Sequence, residues 1–154
     1  MKIDWKKLAA AVALPLAVGG LSALITKDSI AIFGALKKPL LAPPAWLFPV
    51  AWTILYILMG IASYLVCISR SCGKRSALSY YALSLAFNFG WPIIFFNLEK
   101  YLAAFVWLCI MWVFTLAALV RFWDVDKRAG ALMLPYLLWT TFAGYLNYGV
   151  YLLN

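Results

Sequence analysis

The residues best suited to ligand chemistry in this 154-residue chain are aromatic and amide side chains inside long apolar segments. Side chains three or four positions apart share one face of an α-helix. One such face comprises Ser84, Asn88, Trp91 and Phe95. Asn88 is the strongly polar residue in the middle of its segment, and a buried amide needs a hydrogen-bonding partner. We expect that partner to lie on another helix or on a ligand.

Two further segments carry aromatic faces of the same kind. Trp52 and Tyr56 share a face of the second segment, and the last segment, kinked by Pro135, presents Tyr136, Trp139, Ala143 and Asn147. Trp52, Trp91 and Trp139 lie deeper than the headgroup level that tryptophan favours. They either pack against other helices or line a ligand pocket. A flat, conjugated, mostly apolar ligand would suit such a pocket, because ring faces stack and a few polar groups orient it.

Several kinds of chemistry are excluded by the residues that are missing. The chain has no histidine, which excludes imidazole ligation of haem, histidine metal sites and Ser-His-Asp catalysis. Its three cysteines, Cys67, Cys72 and Cys109, have no CxxC spacing and predict neither a metal site nor a disulfide. The apolar segments contain no Lys, Arg, Asp or Glu, which argues against a proton- or ion-coupled carrier. We therefore predict no metal, no cofactor and no acid, base or nucleophile of an ordinary enzyme.

The composition indicates that membrane-spanning helices position these faces. The chain is 67% hydrophobic and 12% charged, whereas soluble domains are about half apolar and about a quarter charged. An apolar run of about 20 residues crosses a bilayer as a helix. The sequence therefore predicts a single all-α membrane domain with a long loop at 26–44 and five spans at 8–25, 45–68, 78–98, 101–120 and 129–153. A soluble enzyme, a disordered chain and a nucleic-acid-binding module are excluded.

The charges predict the orientation. The formal net charge is +8. Basic residues concentrate in cytoplasmic loops, and one side of the predicted topology holds nine of them: Lys2, Lys6, Lys7, Arg70, Lys74, Arg75, Arg121, Lys127 and Arg128. The other side holds four: Lys27, Lys37, Lys38 and Lys100. The N-terminus is therefore predicted in the cytoplasm, and the C-terminus outside.

The face of the third span opposite Asn88 carries small residues at four-residue spacing: Ala82, Ala86 and Gly90. Small residues allow two helix backbones to approach closely in lipid. This strip predicts either close packing within the monomer or the contact of a homodimer.

Three sequence blocks, at 38–62, 88–96 and 126–154, resemble the tryptophan-rich sensory protein family, also known as the translocator protein or peripheral benzodiazepine receptor family. The blocks are KPLLAPPAWLFPVAWTILYILMGIA, NFGWPIIFF and DKRAGALMLPYLLWTTFAGYLNYGVYLLN. The resemblance implies a five-helix bundle, usually a homodimer, with a ligand cavity under the first loop. It implies that the pocket residues are Pro43, Trp52, Tyr56, Asn88, Trp91, Trp139 and Ala143.

The ligands that the resemblance implies are porphyrins such as protoporphyrin IX, sterols in mitochondrial members and synthetic isoquinoline carboxamides and benzodiazepines. A receptor or carrier linked to tetrapyrrole or stress regulation is the leading expectation. The alternative is light- and oxygen-dependent porphyrin breakdown, with Trp52 and Trp139 as reacting groups.

The sequence departs from the family at Ser84, where Gln is frequent, and at Pro92, where Ser is frequent. No basic residue follows Tyr148 or Tyr151, which removes one reason to expect sterol binding. The short basic N-terminus favours a bacterial cell-membrane protein.

Overall fold

Five long helices make up the computed structural model, which describes residues 3–29 and 34–154. Each is long and apolar enough to cross a membrane, which confirms the predicted all-α class and the five spans. The helices are α1 (Trp5–Thr26), α2 (Leu47–Ile68), α3 (Lys74–Pro92), α4 (Tyr101–Val125) and α5 (Lys127–Leu153).

Most helices run past the predicted spans at their polar ends. Helix α3 begins at Lys74 rather than at residue 78, and α4 continues to Val125 rather than to residue 120. The predicted spans ended at charged residues, whereas backbone hydrogen bonding continues through them, since long basic side chains can reach the headgroup region from a helix end. Helix α2 begins two residues late, at Leu47, because a turn at residues 45–46 precedes it.

Proline does not interrupt the helices equally. Helix α5 stays helical through Pro135, as α1 does through Pro15. Pro92 ends the regular part of α3, and a π-helical turn follows at Ile93–Asn97. Such turns are rare and are frequently found at functional sites. A tight hairpin then leads into α4, and in it Glu99 adopts a left-handed φ of 51°.

Glycines set the closest approach of α1 to α2. A Cβ atom on Gly60 would lie 2.5 Å from the Cα of Val12, and a Cβ on Gly19 would overlap the ring of Tyr56. On α3, a Cβ on Gly90 would lie 2.8 Å from the Trp107 ring of α4, whose Nε1 donates to the Phe87 carbonyl at 2.7 Å. Gly90 therefore makes close contact within the monomer.

The main core fills the half of the bundle next to the α2–α3 and α4–α5 connections. Met59, Phe122, Met133 and Tyr136 are fully buried there. Between α4 and α5, Asp126 accepts a hydrogen bond from the Arg128 backbone at 2.8 Å and pairs with its guanidinium at 2.9 Å. These hydrogen bonds from Arg128 hold the pKa of the Asp126 carboxyl below its ordinary value.

Residues 34–44 of the long loop lie at the opposite end of the bundle. The Asn154 side chain makes two hydrogen bonds with the Lys37 backbone. Its oxygen accepts from the Lys37 N–H at 3.0 Å, and its nitrogen donates to the Lys37 carbonyl at 2.9 Å. A Cβ on Gly149 would lie 2.8 Å from Pro39. Leu36 packs against a buried cluster of Phe95, Ala104 and Val150, here called the Phe95 cluster. Residues 30–33 of the predicted loop lie outside the described residues. The described part of the loop is thus fixed to the end of α5.

Candidate functional site

A cavity of about 350 Å³ lies between α1, α2, α3 and α5. Ligand pockets of drug-sized molecules measure about 300–1,000 Å³, so the volume is in that range. Its wall is mostly aromatic and small side chains: Gly19, Ser22, Ala23, Thr26, Ala45, Phe48, Pro49, Trp52, Tyr56, Asn88, Trp91, Pro92, Phe95, Phe96, Ala143, Leu146, Asn147 and Val150.

The predicted face of α3 turns toward this cavity, with one exception. Asn88, Trp91 and Phe95 line it, as their shared helical face predicts. Ser84 is fully buried one turn deeper and does not line it; its hydroxyl donates to the Tyr81 carbonyl at 3.0 Å. The π-helical turn after Pro92 carries Phe95 and Phe96 into the same wall.

Asn88 binds two tyrosines on other helices. Its side-chain oxygen accepts a hydrogen bond from the Tyr56 hydroxyl of α2 at 2.7 Å. Its amide nitrogen donates to the Tyr136 hydroxyl of α5 at 3.2 Å. The partners of this buried amide are therefore protein groups, and Asn88 joins three helices at the inner end of the cavity.

A second polar link closes the side of the cavity between α3 and α5. The Trp91 indole donates to the Asn147 side-chain oxygen at 2.9 Å. The Asn147 amide in turn donates to the Tyr101 carbonyl at the start of α4, at 2.8 Å. This link fixes the Trp91 ring in the wall, where it stacks on Phe95 with ring centroids 5.2 Å apart.

Trp52 joins the cavity wall to the packed core. Its ring stacks on Tyr56, with centroids 5.5 Å apart and planes 28° apart, and meets Tyr136 edge-on at 6.3 Å. Because Tyr56 is bonded to Asn88, the position of Trp52 depends on the same amide.

Two residues of the predicted pocket set do not line the cavity. Trp139 lies behind Trp52, edge-on with centroids 6.4 Å apart, and its buried Nε1 has no hydrogen-bond partner among the described residues. Pro43 is partly buried in the loop segment that precedes α2. The other five predicted residues, Trp52, Tyr56, Asn88, Trp91 and Ala143, come together in the wall.

Sequence reasoning missed the contribution of α1. Gly19, Ser22, Ala23 and Thr26 all line the cavity. Ser22 and Thr26 are buried although α1 is otherwise mostly exposed, and the Thr26 hydroxyl donates to the Ser22 carbonyl at 3.0 Å. The signal was present, since these are hydroxyl residues four positions apart on one face of an apolar span.

The cavity wall carries no charged side chain. Lys27 and Asp28 follow Thr26 directly at the end of α1 and are both exposed, so one basic and one acidic side chain lie next to the outermost wall residue of α1. Among the described residues, no group of three or more Cys, Asp or Glu side chains could hold a metal ion. The site can therefore hold an apolar body by shape and ring stacking, without metal coordination by such a group.

A second depression, of about 420 Å³, is a more open groove on the outer surface between α4 and α5. None of the predicted pocket residues lines it. Its Trp112 indole donates to the Thr141 hydroxyl at 2.8 Å, so these polar groups satisfy each other. We therefore take the cavity between α1, α2, α3 and α5 as the candidate site.

The fold and the cavity define the class: an integral membrane protein with an apolar cavity inside a five-helix bundle. The chain belongs to the TspO/MBR family, whose model matches residues 11–153. It is 37% identical to a tryptophan-rich sensory protein of Cereibacter sphaeroides, over 100% of this chain and 95% of that protein. It is also 37% identical to a tryptophan-rich protein TspO of Chlorobaculum tepidum, over 96% and 95% of the two chains. A translocator protein of Bos taurus is 34% identical, over 88% and 82%.

Proposed function

We propose that this protein binds porphyrins such as protoporphyrin IX, and related flat hydrophobic ligands, in the cavity between α1, α2, α3 and α5. It would act as a membrane receptor or carrier linked to tetrapyrrole or stress regulation. The observation that carries the proposal is the cavity of about 350 Å³ inside the bundle, whose wall consists mainly of aromatic and small side chains and carries no charge. Such a wall suits a conjugated ring system, because ring faces stack and apolar area leaves water.

The uncharged wall also predicts how a porphyrin would lie. Burying an ionised carboxylate without a partner is costly. The carboxylate edge of the ligand would therefore remain at the outer rim, close to Lys27, while the apolar ring edges enter the cavity. Ala143 leaves room in the wall for the ring, and Trp52 and Trp91 offer ring surfaces at its sides.

Asn88 has a supporting role in this proposal. Its oxygen accepts from Tyr56 and its nitrogen donates to Tyr136. It would hold the Trp52–Tyr56 stack in place rather than serve as the main hydrogen-bonding group for the ligand.

The direct test is a titration of purified protein with protoporphyrin IX, followed by tryptophan fluorescence in the dark. We expect saturable quenching with one porphyrin per chain, weakened by filling the cavity at Ala143. Quenching that rises linearly without saturation, or that Ala143→Leu leaves unchanged, would contradict the proposal.

The alternative function is porphyrin breakdown driven by light and oxygen. One observation favours it: Trp52 lines the cavity, and the Trp139 ring lies edge-on behind the Trp52 ring, with ring centroids 6.4 Å apart. The same sample, illuminated in air, distinguishes the two functions. Loss of the main porphyrin absorbance band that requires Trp52 and Trp139 supports breakdown, whereas a stable spectrum supports binding alone.

We also propose a homodimer in the cell membrane that uses the small-residue face of α3. Ala82 and Ala86 are exposed on the monomer, so they are available for such a contact. Gly90 is partly buried against Trp107 of the same chain, so the proposed dimer contact (the seam) is restricted to Ala82 and Ala86.

A further inference from the structure

We propose that ligands enter the cavity sideways from the bilayer, through an opening between the outer halves of α1 and α2. This inference rests on the proposed binding function and adds the route and the source of the ligand. It starts from three residues, Ala23, Ala45 and Pro49, that line the cavity and are also exposed, whereas most of the wall is buried or half-buried. A residue that is both exposed and part of the wall marks the edge of an opening.

The close contacts that glycines set between these two helices lie at the inner end of the cavity and below it. Gly60 meets the Val12 backbone, and Gly19 meets the Tyr56 ring. Beyond Gly19, the outer half of α1 is bonded to α3 and its π-helical turn instead. The Ser22 hydroxyl donates to the Phe89 carbonyl at 3.4 Å, and the Asn97 amide donates to the Ile25 carbonyl at 3.2 Å. The last turns of α1 are thus tied to α3 and its π-helical turn, and the contact between Gly19 and Tyr56 in the cavity wall forms the inner edge of the opening.

The side of the cavity between α3 and α5 and the end next to the loop are closed by direct contacts. The Trp91–Asn147 hydrogen bond joins α3 to α5 at 2.9 Å. Above it, Leu36 of the loop packs against the Phe95 cluster, and Pro39 lies against Gly149. The side between α1 and α2 is instead bordered by the small, exposed side chains of Ala23 and Ala45, and it is the side on which the proposal places the passage of a flat molecule.

The chemistry of this rim fits a ligand that is dissolved in lipid. Ala23, Ala45 and Pro49 carry no polar side-chain group, so an apolar ring can pass from acyl chains to the cavity without being solvated by water in between. Lys27 lies just beyond Thr26, where the acidic edge of such a ligand would remain at headgroup level. The ligand class is therefore a membrane-dissolved, planar amphiphile with one charged edge.

The test places a bulky group at the rim after the protein has folded. The exposed cysteines Cys67, Cys72 and Cys109 are replaced by alanine, and Ala23→Cys is labelled with a bulky maleimide in liposomes. Association and dissociation of bilayer-dissolved protoporphyrin IX are followed by tryptophan fluorescence. The matched control is Ala103→Cys, labelled in the same way at an exposed position of α4 away from the cavity.

The order of addition separates a closed opening from a filled cavity. Labelling before loading should slow association by about tenfold, and labelling after loading should slow dissociation by about tenfold, because the same barrier lies on both paths. A label at Ala23 that expels bound porphyrin, or that changes the rates no more than the label at Ala103, would overturn the opening. Ala45→Cys repeats the test from the α2 side if the first variant does not fold. Absence of saturable binding by the wild-type protein would instead overturn the proposed function.

Discussion

Trp52 is the residue on which the ligand wall and the packed core meet. It lines the cavity on one side and contacts Tyr56, Tyr136 and Trp139 on the other. The sequence places Trp52 and Trp139 in the same role, as deep tryptophans on aromatic faces. The structure separates them, because Trp139 lies behind Trp52 and does not line the cavity.

The two tryptophans should therefore differ in binding. An aromatic contact is worth about 0.5–1.5 kcal/mol beyond area burial, so Trp52→Phe should weaken protoporphyrin IX affinity by about threefold to tenfold. Trp139→Phe should weaken it less, since its contact with the ligand is indirect. Equilibrium fluorescence titration measures both, with Trp5→Phe, exposed at the far end of α1, as the control. A larger loss for Trp139→Phe than for Trp52→Phe would contradict the position of the ligand.

Ala143 tests the volume of the site. It is 9% exposed and lines the cavity, so the extra methyl groups of Ala143→Leu would occupy space that the ligand needs. We expect affinity for protoporphyrin IX to fall by more than about tenfold, because displaced ring atoms lose both stacking and burial. Ala103→Leu is the matched control, with the same change at an exposed position of α4. Equal affinities in the two variants would place the porphyrin elsewhere.

At the scale of the elements, three helices depend on one amide. Asn88 of α3 bonds Tyr56 of α2 and Tyr136 of α5, and all three side chains are buried. A polar group left unpaired in such a place costs about 1–3 kcal/mol. The network thus couples the arrangement of the helices to the shape of the cavity.

Loss of this amide should reduce stability as well as binding. Asn88→Ala leaves the Tyr56 hydroxyl without its partner, while the Tyr136 hydroxyl keeps Thr115, so the free energy of unfolding should fall by about 1–3 kcal/mol. Thermal unfolding in mild detergent measures the change. Asn97→Ala is the control, since it also removes a helix-to-helix amide hydrogen bond but at an exposed position. An equal fall in the free energy of unfolding for both variants would show that the buried Asn88 network contributes no more to stability than an exposed amide hydrogen bond.

The exposed alanines of α3 test association at the scale of the whole molecule. Close packing of small residues drives helix association in lipid, where burial of apolar area contributes little. Ala86→Leu should therefore lower the dimer fraction seen by cross-linking in mild detergent. Ala103→Leu, on the exposed side of α4, serves as the control. A dimer fraction that Ala86→Leu does not change would exclude this face as the seam.

The topology is the second property of the whole molecule. Nine basic residues on one side against four on the other predict that the N-terminus is cytoplasmic. Five spans then place the C-terminus outside. A reporter enzyme that is active only outside the cytoplasm, fused after Asn154, should be active. Bright fluorescence of a green fluorescent protein fused at the same point would contradict this orientation.

The sequence by itself determined the properties that depend on local pattern. Apolar length determined the five spans, and the helical period determined that Asn88, Trp91 and Phe95 share a face, because both follow from the geometry of a single helix. Only the tertiary structure decided which helices are neighbours. It brought α1 into the cavity wall, placed Trp139 behind Trp52 and covered Gly90 with Trp107. These outcomes depend on contacts between residues far apart in the chain, and the apolar surface of one helix does not specify which helix will cover it.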